Sequence, residues 1–586
     1  MGTPGTHSRK QRTISVGIAE GERIEFALGD GVVRAAIVAG EGVAIGGEVR
    51  QEWVFTPGQI AGQAGNDGAL GVSAVIPGTP AVIPGTPAIM PGTPAVMPGS
   101  TGHLTPYFTL KGVEIGKGFH WQRRQDQSFR GSLRLIAREG RVIAINVVGI
   151  EDYLQCVIAS EMSPTAGFEF LKAHAVISRS WLLAQLDKRD EVREEGYSAV
   201  DRDTPDELIR WQDREDHQYY DFCADDHCQR YQGIPMAKIA GQAGNDGGVS
   251  ANPDTTFSVM PGLTGHLATA DPAMIRKTAR VIEATWGQVL WYDGRVCDAR
   301  FSKCCGGALE EFKYCWENKE VPYLKYARDY ASGEDVDLRG EQSARRWILS
   351  KPRAFCNTRS SRLLGQVLKD YDSETKDFYR WKVEYTSEEL RQIILERTGE
   401  DYGQILDLIP LERGVSGRIC RLKIVGSKKT KIIGKELEIR KTLSSSHLYS
   451  SAFIVEKVCG PEHREEKVCA AAHQSKFKSA AKQSFFEAAE GQTPAKFVLY
   501  GAGWGHGVGL CQIGAAAMGD RGYDYCTILA HYYPNSELKT LYGNPLPQDD
   551  PDVPNSHFVA TKTPFSEETL PQDDSDTQNG HLVTNT

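Results

Sequence analysis

The chain has no run of apolar residues long enough for a membrane helix, and no apolar stretch follows the basic residues near its start. Neither a spanning helix nor an export signal is therefore expected in these 586 residues. An excess of positive charge is missing as well. With 67 Lys and Arg against 76 Asp and Glu the formal charge is −9, which excludes a general nucleic-acid binder, because phosphate affinity rests on clustered cations. Cysteine occurs, but not as a framework: the 13 cysteines are odd in number and include the adjacent pair Cys304-Cys305, unlike a compact disulfide scaffold. What remains is an ordinary globular balance, 40% hydrophobic and 24% charged, able to build a sizeable core.

The chain is punctuated by low-complexity sequence. Residues 74–101 repeat a seven-residue unit, AVIPGTP, AVIPGTP, AIMPGTP, AVMPGST, in which proline and glycine recur too often for a helix or a central strand. IAGQAGNDG stands at both 60–68 and 239–247, and VMPGSTGHL at 96–104 is matched by VMPGLTGHL at 259–267. These repeats mark 60–104 and 239–270 as disordered surface insertions, which loop-closure entropy tolerates. Residues 1–11 and the acidic segment 541–586, with PQDD at 547–550 and 571–574, are expected to be disordered too.

Between them, ISVGIAEGERIEFAL, SLRLIAREGRVIAINVVGI and RICRLKIVGSKKTKIIGKELEI read as strands by alternation and β-branched content. Segments 166–189, 388–398, 462–490 and 523–533 read as helices. The uneven mixture predicts an α+β fold, with subdomains around a long open cleft. One domain is expected over 12–540, with 380–458 as an inserted lobe.

Glycine occupies every second position from Gly501 to Gly509 in GAGWGHGVG. In an extended strand that alternation leaves one face as bare backbone, opposite Ala502, Trp504, His506, Val508 and Leu510. It admits close approach by a ligand or another chain segment, or a series of left-handed turns. Upstream, Ser163-Pro164 is a helix-start signal, and Glu161 precedes it among Val157, Ile158, Ala159 and Met162. A carboxyl group in apolar surroundings can act as a general acid, and one near a helix N-terminus can simply serve the helix dipole. In REDHQYYDFCADDHCQRYQG, His217, Cys223, His227 and Cys228 form a nitrogen and sulfur set suited to one zinc ion; a Cys223–Cys228 disulfide is the other non-trivial reading.

The segments IEDYLQCVIASEMSP, LKAHAVISRSWLL, ARFSKCCGGALEEFKYCWENKEVPYL and GAGWGHGVGLCQIGAAAMGDRGYDYCTILAHYYP occur in that order. Together they resemble the SpoIID/LytB family of cell-wall proteins. The resemblance implies a cell-envelope location and peptidoglycan glycan strands as partner. In its enzymatic branch it implies a lytic transglycosylase that cuts the MurNAc–GlcNAc β-1,4 bond, with Glu161 of the SEM segment as catalytic acid and base. Other members act as enhancers of an N-acetylmuramoyl amidase, which would make such an amidase the partner. The matching motifs nominate Ser302, Gly306, Gly307, Tyr323, His506 and Gln512 as substrate-binding groups.

Overall fold

A computed structural model describes residues 11–28, 31–38, 42–45, 48–56, 107–116, 122–163, 165–195, 200–211, 217–225, 228–234, 272–331, 333–368, 377–458, 494–543 and 558–559. The insertions 60–104 and 239–270, the helix expected over 462–490, residues 1–10, Pro164, His227 and most of 544–586 lie outside the described residues. The fold is α+β. Among the described residues, no helix is long and apolar enough to cross a membrane.

Two compact units are present, one made of Ser15–Glu114 with Arg124–Val148 and the other holding Gly149 onward. The first is all β. Strands 48–50, 42–45, 31–38, 23–28, 108–115 and 123–129 follow one another in a single sheet, and 13–21, 141–149, 132–138 and 52–55 in another. The hairpin 132–149 was legible because its turn residues are right: Glu139 and Gly140 both take positive φ (49° and 74°), the geometry of a two-residue turn that suits strand twist. Leu133, Leu135, Val142 and Ala144 are fully buried, as period-2 alternation requires.

The second unit carries the helices. Ile150–Glu161 and Phe168–Glu195 run in succession, with Pro272–Ala284 packed against both. The helix 150–161 escaped the sequence reading because every residue in it except Asp152 is buried, so it shows no polar face and no amphipathic period. Segment 387–398 is a helix as expected, closed at its start by a capping box between Thr386 and Glu389 and at its end by left-handed Gly399. One strand reading is corrected: strands 419–426 and 430–434 form, but Glu436–Thr442 is helical.

Strands 380–386, 496–502 and 453–458 make an antiparallel sheet with 496–502 in the centre. A five-stranded sheet runs 200–203, 207–210, 430–434, 419–426, 405–413, and its 207–210/430–434 pair is parallel. Both sheets thus draw strands from outside 380–458. Their shared core includes Trp381, Leu390, Ile394, Ile405, Leu422 and Phe453.

Candidate active site

Glu161 ends one helix rather than preceding the start of another, and the next helix begins at Phe168, beyond the Ser163 start signal. It is 8% exposed, with Val157, Ile158 and Met162 fully buried beside it in sequence. Its Oε1 accepts the Arg230 N–H at 3.2 Å, while Ser160 Oγ accepts the Gln232 N–H at 2.9 Å. The segment 229–232 therefore lies along the last turn of the helix. Tyr153 fastens it further, donating to Gln229 Oε1 at 3.4 Å and packing its ring 4.7 Å from that of Tyr231.

The cysteine-histidine loop belongs to this same neighbourhood. Burial first, then the proximity of Cys228, Cys223 and Glu161, pushes the Tyr153 hydroxyl well above its ordinary range. His217 Nε2 stands 3.4 Å from Cys228 Sγ, and His217, Cys223 and Cys228 each offer a ligand atom within 4.8 Å of the others. Bonds of about 2.0 to 2.3 Å to tetrahedral zinc place ligand atoms about 3.3 to 3.8 Å apart, a range that includes the His217–Cys228 distance. His227 lies outside the described residues. None of the described cysteines is in a disulfide, which removes the Cys223–Cys228 bridge.

The downstream motifs form a buried hub. Phe301–Ser302 pairs in parallel with Leu510–Cys511. Ser302 is 7% exposed and its hydroxyl has no hydrogen-bond partner among the described residues, an uncommon state for a buried polar atom. The other nominees turn inward. A Cβ on Gly306 would lie 2.9 Å from Gly503 N, and one on Gly307 2.9 Å from the Tyr379 hydroxyl, so protein atoms fill the space beside both. The Tyr323 hydroxyl accepts the Asp298 N–H at 3.0 Å. His506 Nδ1 accepts the Val508 N–H at 3.0 Å, its ring meets Trp316 edge-on at 4.9 Å, and burial together with Arg300 and Arg418 drives its pKa well down. It is a neutral imidazole near pH 7.

The glycine run is not a continuous strand. The strand ends at Ala502, and Gly503, Gly505, Gly507 and Gly509 take φ between 70° and 93°, so alternation here encodes left-handed residues instead of a flat face. What approaches the backbone is the protein itself. At Gly501 the Trp381 ring occupies the position a Cβ would need, at 2.1 Å, and at Gly507 the buried Arg418 guanidinium does so at 2.4 Å. Trp504 packs between Phe378 and Tyr449, at 4.7 and 4.8 Å between ring centroids.

Two connections bring the sequence motifs together. Ser163 N–H donates to Gln366 O at 3.1 Å and Lys303 Nζ to Val367 O at 3.4 Å, so the SEM segment and the residue after Ser302 meet consecutive carbonyls at the end of helix Ser361–Val367. Gln512 Nε2 lies 3.2 Å from His174 Nε2, His174 Nδ1 lies 3.2 Å from Ser178 Oγ, and Gln229 Nε2 donates to Ser178 O at 3.3 Å. That chain runs from the hub to the residues against Tyr153. Burial holds His174 down at about 3, so the neutral ring accepts from Gln512 and presents Nδ1–H to Ser178. His174, Gln229 and Gln366 went unnominated because single polar residues in apolar or loop sequence carry no spacing signal.

Comparison with known proteins locates these features. Residues 138–292 match the family described as Stage II sporulation protein, and residues 310–509 match a domain of unknown function. A Bacillus subtilis (strain 168) protein named Amidase enhancer is 26% identical over 295 residues, covering 49% of this chain and 35% of its own length. The chain thus spans about a third of that relative.

Proposed function

Because its residues 138–292 form a SpoIID/LytB-family domain, we propose that this chain acts on peptidoglycan glycan strands as a lytic transglycosylase. The observation that carries the reading is Glu161: a carboxyl group 8% exposed, at a helix end, oriented by the Arg230 amide. One carboxyl group suffices for this reaction. Glycosidases that use water or form a glycosyl-enzyme need a second carboxylate, whereas the muramyl C6 hydroxyl can attack C1 from within the substrate. Glu161 would protonate the departing glycosidic oxygen as the C1–O bond breaks, then accept the C6 hydroxyl proton as the 1,6-anhydro bond closes. Atoms and protons balance without water.

Ser302, whose buried hydroxyl has a hydrogen bond still to make, would need a local opening of the hub to meet a sugar. A zinc ion on His217, Cys223 and Cys228 would cross-link the loop that ends at Arg230, and so hold the amide that orients Glu161. The test is digestion of purified glycan strands, with and without stem peptides, followed by mass spectrometry. Anhydro-muramyl ends that disappear in Glu161→Gln are expected; hydrated ends, or ends unchanged by the substitution, overturn the reading.

The name of the Bacillus relative favours a second reading, a non-catalytic enhancer that binds glycan and stimulates an N-acetylmuramoyl amidase. It predicts amidase stimulation without glycan cleavage, retained in Glu161→Gln.

A further inference from the structure

The hub contains a cluster that the glycan reading does not use. Cys305, Cys356, Cys511 and Asp329 are 2%, 1%, 0% and 0% exposed, and each offers a ligand atom within 4.8 Å of the others. We propose that these four residues form a buried structural zinc site, separate from the His217 loop.

The spacing is that of ligands. Cys305 Sγ and Cys356 Sγ stand 3.6 Å apart, close to the roughly 3.8 Å that two thiolates adopt on a tetrahedral zinc with bonds of about 2.3 Å. Around them, the backbone presents donors to the deprotonated forms. Cys511 Sγ accepts the amides of Cys305 at 3.2 Å and Gly514 at 3.4 Å, and Cys305 Sγ accepts that of Gly307 at 3.4 Å. Such N–H···S contacts are the outer shell that orients thiolates and spreads their charge.

Asp329 makes the case from the oxygen side. Its Oδ1 accepts the Tyr532 hydroxyl at 2.7 Å and its Oδ2 the Cys356 amide at 3.0 Å. Among the described ion pairs its one neighbour is His531, with Nε2 at 3.9 Å from Oδ1. A carboxyl group wholly removed from water either keeps its proton or faces a cation, and a bound zinc ion would supply the cation. Three sulfurs and one oxygen in a closed, dry, four-ligand set suit zinc in a structural role, with no open position for chemistry. Loading the metal releases the protons of the three thiols. Because Cys305 and Cys511 are separated by 206 residues and Cys305 and Cys356 by 51, the ion would tie together three distant stretches of chain.

The experiment is metal analysis by mass spectrometry of the full chain purified under reducing conditions, as wild type, Cys356→Ser and Cys223→Ser. Loss of one zinc equivalent per chain in Cys356→Ser, with that equivalent kept in Cys223→Ser, is expected. Should Cys356→Ser fail to fold, X-ray absorption on the zinc of Cys223→Ser reads the site directly, and a shell of three sulfurs with one oxygen is expected. No zinc in Cys223→Ser, zinc unaffected by Cys356→Ser, or a Cys305–Cys356 disulfide in peptide mapping of the wild type each overturns the proposal.

Discussion

Replacing Gly507 by alanine tests the reading of the glycine run most directly. Two costs add. Gly507 has φ 74°, and placing an L-residue there costs about 1 to 2 kcal/mol. The new methyl group would also sit 2.4 Å from Arg418 Cζ and Nη1 and 2.6 Å from Nη2. A side-chain tip can often swing aside, but Arg418 is 1% exposed and donates to Gly505 O at 3.1 Å, Cys305 O at 3.2 Å and Ser416 Oγ at 2.9 Å. Hydrogen bonds of a charged group are worth about 1.5 to 3 kcal/mol each, so losing even one brings the total to about 3 to 5 kcal/mol. Gly522 is the control: it has φ 86° but nothing within 4 Å of a built Cβ, so Gly522→Ala should cost the backbone penalty alone. Urea unfolding of the two variants, compared through midpoint and slope, measures the difference. If Gly507→Ala loses no more stability than Gly522→Ala, the guanidinium is not held against this glycine and the packing account of the run is wrong.

Glu310 gives a pH-dependent prediction. Its carboxyl group is wholly buried, accepts from Ser416 Oγ at 2.7 Å and is pushed up from 4.5 to about 7, chiefly by burial. A raised carboxyl pKa favours folding fully below the unfolded value, and that contribution is lost as pH rises through the folded value. Stability of wild type relative to Glu310→Gln should therefore fall by about 3 kcal/mol between pH 4.5 and 7 and level off above; parallel denaturation curves across that window would refute it. Glu151 pairs with Arg179 at 2.5 and 2.8 Å, the two being 2% and 0% exposed, and also accepts the Tyr542 hydroxyl at 2.6 Å. Glu151→Gln should cost about 3 to 5 kcal/mol by stranding a buried cation, and Glu151→Leu with Arg179→Met should recover most of it in the same unfolding assay.

Where local pattern and tertiary role agreed, the sequence was readable. The 132–149 hairpin and the 387–398 helix announce themselves through turn chemistry and capping. The misreadings have separate causes, of which burial on all sides, which erases periodicity, is one. It hid the helix 150–161, and the β-branched stretch before it made Glu436–Thr442 look like continued strand. Alternating glycines mimic strand periodicity although they encode left-handed backbone, and only contact with Trp381 and Arg418 decides between the two. The Cys305 cluster was beyond reach for a different reason, since its members come together only through tertiary folding.

The order in which the chain is made sets a limit on when its second unit can close. Residues 496–540 supply the central strand of the 380–458 sheet, the partner of Phe301–Ser302 and the partner of 288–292. Every one of those earlier strands must wait on the ribosome with an open edge while the rest is translated. The hub can therefore close only after residues 496–540 have emerged, and a message truncated before codon 496 yields a protein missing a strand from three sheets at once.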